Sequence, residues 1–179
     1  MAEENKVQID NTALVEAIAA MRADFKPETQ NKVINLTLKA SFFIPATMTK
    51  NTELVANAQN KLEFKDKNTT KFMLIENPEK GKYFPCFTDL ELLKSFVEKH
   101  QGNFRPFAMK FADLATITEM TADVNGFIIN PNREGLPYTK EMLAGIKSVL
   151  MQQKAKVNAA QSEGEHPNIT VTTNNAPEN

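Results

Sequence analysis

The chain has no tryptophan, one cysteine (Cys86) and two histidines (His100 and His166). A single cysteine excludes an internal disulfide framework and any all-cysteine zinc site. Two separated histidines without a carboxylate at ligand spacing leave no metal site to expect. The chain has six glycines, none of them clustered, and no glycine-rich phosphate loop of either common pattern. No serine stands in a Gly-x-Ser-x-Gly elbow. No apolar run approaches the ~20 residues that a membrane helix needs. Neither sign of charge is in surplus, with 21 Lys+Arg against 22 Asp+Glu. A dedicated nucleic-acid binder needs a basic excess for its phosphate contacts, so that class is not expected. The first ten residues lack the apolar stretch of a secretory signal and carry Glu3 and Glu4. The expected compartment is the cytoplasm, with no membrane association.

What is present reads as one α/β domain of 179 residues with a polar end. Chains of this size bury roughly 70% of their unfolded surface and hold a core without staples. Leu14, Ala17, Ile18, Met21 and Phe25 form one helical stripe, with Asp10 or Asn11 able to cap it. Pro27 followed by Glu28 opens a second helix to about Leu38, although Ile34, Leu36 and Leu38 alternate as a strand would. Ser41 to Thr47 reads as a strand. The polar stretch Met48 to Lys71 reads either as a long surface excursion or as a short edge strand.

Phe72 to Ile75 reads as a buried strand. The turn residues Asn77-Pro78-Glu79-Lys80-Gly81 then join it to a strand over Tyr83–Phe87 as a hairpin. Thr88-Asp89-Leu90-Glu91 has the spacing of a capping box, with Thr88 as the cap. Leu92, Leu93, Phe96 and Val97 point inward from the helix that follows. A strand over Phe104–Phe111, a short helix over Asp113–Glu119 and a strand over Val124–Asn130 come next. A tight loop to Gly135 leads to a long final helix striped by Met142, Leu143, Ile146, Val149 and Leu150.

Strands joined through helices of this length are usually parallel. The expected fold is α/β, with a mixed sheet of about five strands and helices packed on it. From Asn158 onward the large apolar residues are only Ile169 and Val171. Such a segment buries too little area to offset its ordering entropy. The expected division is a domain over residues 1–157 and a disordered tail over 158–179. The tail holds Glu163, Glu165 and Glu178 and no Lys or Arg.

In open α/β sheets, ligands lie beyond the carboxyl ends of parallel strands. Here those ends are Phe87-Thr88-Asp89 and Asn130-Pro131-Asn132-Arg133. The candidate binding residues are therefore Phe87, Thr88, Asp89, Asn130, Pro131 and Arg133. Each polar member also has a structural reading. Thr88 and Asp89 sit where a helix needs a cap, and Asn130 before Pro131 suits a turn. No local rule demands the Arg133 guanidinium. Cys86 reads as an inert strand residue, because a helix of ~12 residues spans roughly 18 Å and His100 at its far end cannot reach back. No catalytic residue is assigned and no cofactor is expected.

Pro85-Cys86-Phe87-Thr88-Asp89 before a leucine-rich helix resembles the Pro-x-Phe-Thr-Asp signature of the SseB N-terminal domain family. Asn125-Gly126-Phe127-Ile128-Ile129-Asn130-Pro131 is similar to that family's closing strand and turn, and Phe42-Phe43-Ile44-Pro45 to its opening strand. The resemblance spans about Thr29 to Leu150. It implies a bacterial cytosolic α/β domain of poorly defined role, and it brings no catalytic residues. The Lys- and Asn-rich insert between Phe43 and Phe72 departs from the pattern. The expected function is a non-enzymatic binding module for a protein partner or a small polar ligand. The alternatives are an enzyme acting on a small polar metabolite through Thr88, Asp89, Asn130 and Arg133, or an accessory protein of a secretion system. Nothing in the residues specifies an oligomeric state.

Overall fold

A computed structural model describes residues 9–56 and 62–162 of the chain. In chain order the elements are α1 (Thr12–Ala23), α2 (Pro27–Lys39), β1 (Ser41–Ala56), β2 (Leu62–Phe72), β3 (Ile75–Asn77) and β4 (Gly81–Cys86). They continue with α3 (Leu90–Val97), β5 (Arg105–Lys110), α4 (Phe111–Met120), β6 (Val124–Ile129), β7 (Leu136–Thr139) and α5 (Lys140–Ser162). The fold is α/β, as expected. By compactness the chain forms one unit up to Lys140 and a second from Glu141, which is built on α5.

The strands divide between two sheets, of order β2-β1-β5 and β3-β4-β6-β7. The first is antiparallel throughout. β1 and β2 form a long hairpin paired from Ala46↔Phe72 out to Ala56↔Leu62, and β5 pairs with β1 from Ser41↔Lys110 to Ala46↔Arg105. The described parts of the polar stretch after Met48 are thus paired strands, and β2 is a longer edge strand than the sequence suggests. In the second sheet only β4 and β6 are parallel, while β3 and β7 run antiparallel to their neighbours. The expected alternation of parallel strands and helices fails at β5, because that strand crosses to the other sheet. Phe43 and Phe87 exchange both backbone hydrogen bonds at 2.9 Å and tie the two sheets together.

Several local expectations are corrected by where the chain travels. Phe72 to Ile75 is not one strand. β2 ends at Phe72, Met73 N–H donates to the Pro45 carbonyl, and Ile75 restarts pairing in the other sheet opposite Tyr83. The run is apolar because it passes between two sheets, and Leu74 emerges exposed on the way. Phe25 leaves the α1 stripe and is 72% exposed, because the helix has already ended at Ala23. β7 carries Pro137 and reads in sequence as loop. A proline is tolerated there because β7 is an edge strand. α5 continues to Ser162, so the expected tail is helical over its first residues. Residues 163–179 lie outside the described residues.

The core of the first unit lies against one face of the β3-β4-β6-β7 sheet. In the β4–β6 register Phe84 stands beside Phe127 and Cys86 beside Ile129. In the β6–β7 register Phe127 faces Tyr138. The Phe127 and Tyr138 rings stack at 5.2 Å, and Phe111 meets both edge-on. Leu14, Ala17 and Ile18 of α1, Val33 of α2 and Leu114 of α4 are buried too. The Tyr138 hydroxyl donates to Thr37 Oγ1 at 3.0 Å, and Thr37 returns its own proton to the Val33 carbonyl. Gly126 allows β6 and β7 to approach, since a Cβ there would lie 2.1 Å from the Tyr138 carbonyl oxygen. A second apolar cluster of Phe87, Leu93 and Phe96 anchors α3, with Phe43, Met73 and Ile75 packed on it.

Candidate functional site

The ends of β4 and β6 lie side by side, so Thr88 and Asn130 meet. Asn130 is only 1% exposed and takes a left-handed backbone at φ 48°, the one non-glycine residue to do so among the described residues. Asparagine tolerates that region better than most side chains. Its N–H donates to the Cys86 carbonyl, and its own carbonyl accepts from Arg133 N–H and Gly135 N–H, which closes the loop. Its amide then works across the strands. Oδ1 accepts from Thr88 N–H at 3.0 Å, and Nδ2 donates to Thr88 Oγ1 at 2.9 Å and to Glu134 Oε2 at 2.8 Å.

The cap of α3 differs from the one expected. Asp89, not Thr88, is the N-cap, with Oδ1 accepting from Leu92 N–H at 2.8 Å. Thr88 stands one residue before that cap, two before the first helical residue Leu90, and is 2% exposed. Its hydroxyl proton has acceptors at 3.3 Å on Asp89 Oδ2 and Asn130 Oδ1. Position decides this, because the helix starts at Leu90 and only Asp89 has the right reach.

Asn11, a cap candidate by sequence, enters the same network instead. It is the residue before α1 yet makes no side-chain cap bond there. Its Nδ2 instead donates to the Ser41 carbonyl at 2.8 Å and the Thr88 carbonyl at 2.9 Å. The start of α1 is served by Asp10, whose carboxylate accepts from Thr12 N–H at 3.0 Å. That bond holds the Asp10 carboxyl below the usual carboxylate range.

The six candidate residues thus take three different roles. Thr88, Asp89 and Asn130 form one hydrogen-bonded unit that fastens two strand ends to a helix start. Phe87 is buried beside Phe96, with ring centroids 5.1 Å apart. Arg133 is exposed and pairs through Nε with Glu134 Oε1 at 3.3 Å. Pro131 borders an open recess of about 330 Å³ lined also by Ile75, Tyr83, Ile128, Pro137, Glu76 and Lys80. A second recess of about 240 Å³ lies over Asp10, Glu16 and Asp89.

The chemistry open to this arrangement is narrow. Every buried side-chain nitrogen and oxygen among the described residues has a partner. Among those residues no group of three His, Cys, Asp or Glu side chains could hold a metal ion. No described helix is long and apolar enough to cross a membrane. Cys86 is fully buried, burial raises its thiol pKa well above the ordinary value, and its Sγ donates to the Ile128 carbonyl at 3.4 Å. A nucleophilic thiol needs the opposite environment. The native chain is therefore expected to resist an aromatic disulfide reagent at pH 8 and to react with one equivalent in guanidinium. Burial also raises Tyr138. A raised acid stabilises the fold below its unfolded pKa, about 8.5 for a thiol, and loses that contribution above it. The urea midpoint should accordingly fall as pH climbs from about 8.5 to 10.5. A midpoint unchanged across that range would show that Cys86 and Tyr138 ionise as easily folded as unfolded.

These features define a small α/β domain whose motif residues serve as an internal fastening between strand ends, beside a groove of mixed apolar and polar lining. The family model described as the SseB protein N-terminal domain matches residues 14–144. The chain belongs to the SseB N-terminal domain family. No curated protein and no solved structure matches it.

Proposed function

We propose that this chain is a non-enzymatic binding module acting in the bacterial cytosol. In this reading it takes a segment of a protein partner in the groove bordered by Pro131. One observation carries the proposal. Thr88, Asp89 and Asn130, the side chains best placed for polar chemistry at the strand ends, spend their donors and acceptors on one another, on Glu134 and on backbone groups. What the same turn presents outward is Pro131, in a groove shared with Ile75, Tyr83 and Ile128. A mixed apolar and polar lining suits a side chain delivered by a peptide segment. The near balance of acidic and basic residues supports a protein partner over nucleic acid.

The test is affinity capture from bacterial cytosol with the full chain and with a Lys80→Glu, Pro137→Glu variant, both exposed positions lining the groove. The reading expects a reproducible protein recovered by the native chain and lost with the variant. It also expects a panel of small polar metabolites to leave the melting temperature unchanged. Recovery indifferent to the variant would reject the groove. A metabolite that raises the melting temperature by several degrees would favour a small-molecule site, because a ligand at 100 times its Kd adds about 2.7 kcal/mol.

A further inference from the structure

The second unit carries a surface of its own. Along α5, Met142, Ile146, Val149, Leu150 and Val157 recur at helical spacing. At 3.6 residues per turn these side chains fall within a sector of about 100°. Toward the end of the helix the stripe lies open, with Val149 53%, Leu150 38% and Val157 56% exposed. Gln153 interrupts the stripe between Leu150 and Val157, yet a globular chain leaves single apolar residues in water routinely, whereas several on one face of one helix mark an interaction surface. The borders of the stripe are basic. Lys147 and Lys154 flank one side and Lys156 the other, and no acidic residue occurs between Glu141 and Glu163.

We propose that the C-terminal half of α5 docks an amphipathic helix of a partner protein whose apolar stripe is bordered by Asp and Glu. The charge pattern selects this occupant. Helix pairs choose partners through the residues that flank their apolar seam. In a second copy of this chain, lysine borders would meet lysine borders in either orientation, because neither side of the stripe carries an acid. Helices that lie in a lipid interface bury Trp, Phe or Leu, and the open part of α5 offers one leucine, Leu150, and no Phe, Tyr or Trp. The open part from Val149 to Val157 also extends only roughly 13 Å, a short seat for a membrane and a sufficient one for two turns of a partner helix. Apolar contact would supply the affinity, and the lysines would set which partners are accepted.

The test uses the full chain and two labelled synthetic helical peptides with the same leucine stripe, one bordered by Glu and one by Lys, read by fluorescence anisotropy. The Glu-bordered peptide is expected to bind about tenfold more tightly than the Lys-bordered one, the factor that two or three partly exposed ion pairs supply. Added salt should narrow that gap. Lys154→Glu with Lys156→Glu should reverse the preference, both positions being exposed, so the fold is not at stake. Leu150→Asp should abolish binding, while Met151→Asp, on the opposite side of the helix, should leave it unchanged. Circular dichroism confirms that each variant keeps its helix content. Equal binding of the two peptides, a preference indifferent to charge reversal, or equal damage from Met151→Asp would overturn the proposal. So would sedimentation as a dimer abolished by Leu150→Asp, or binding to phosphatidylserine vesicles in place of either peptide.

Discussion

Replacing Asn130 with alanine is expected to lower the unfolding free energy by about 4 kcal/mol, read as a shift of the urea midpoint. The change strips the buried Thr88 N–H of its acceptor, and an unsatisfied buried donor costs about 1–3 kcal/mol. It also removes the donors that serve Thr88 Oγ1 and Glu134 Oε2. Alanine would in addition be forced into the left-handed backbone at φ 48°, a penalty of roughly 1–2 kcal/mol that asparagine largely escapes. The two contributions separate by a second substitution. Asn130→Gly accepts the backbone freely but still loses the hydrogen bonds, so it should recover about 1 kcal/mol relative to alanine. If both variants unfold like the native chain, Asn130 does not fasten the strand ends, and its place beside Thr88 must serve something else.

Truncating Phe127 to alanine is expected to cost about 4 kcal/mol, near the middle of the range for buried phenylalanine. The side chain is fully buried, and its ring stacks on Tyr138 and meets Phe111 edge-on. The loss combines transfer of the ring with a cavity that strands on either side cannot collapse to fill. Phe127→Leu keeps most of the volume and should cost about half as much. A calorimetric melting series on the two variants checks this. A loss below about 1 kcal/mol for alanine would mean that the core repacks around the gap. Phe127 and Asn130 are three residues apart on one strand and turn, yet they act on different partners, so their effects should add within about 0.5 kcal/mol.

Much of the local structure was legible in the residues. The α1 stripe of Leu14, Ala17, Ile18 and Met21 is buried as its spacing predicts. Pro27 and Glu28 open α2, which resolves as helix against the strand-like alternation of Ile34, Leu36 and Leu38. The Asn77–Gly81 turn joins an antiparallel pair, and Gly81 takes a positive φ of 85° there. Asp89 and Asn130 stand out in the sequence as strand-end groups, and in the fold both belong to one hydrogen-bonded network with Thr88. The division of labour was not legible. Thr88 and Asp89 are both favoured cap residue types, and the start of the helix at Leu90 assigns the role to Asp89.

The residues that escaped the sequence are those whose partners are remote. Asn11 reaches the Thr88 carbonyl, 77 positions away, and nothing near it in the chain hints at that bond. Tyr138 meets Thr37 across 101 positions. β7 hides behind Pro137 because its pairing with β6, not its own propensity, makes it a strand. Hydrophobic spacing, caps and turn residues act over a few residues, so the primary structure already carried the helices, the Asn77–Gly81 turn, the buried thiol and the family motifs. The split into two sheets, the crossing of Phe72 to Ile75 between them and the bond between Asn130 and Thr88 came only from folding. Each depends on where distant stretches of chain return in space, and no local pattern encodes that.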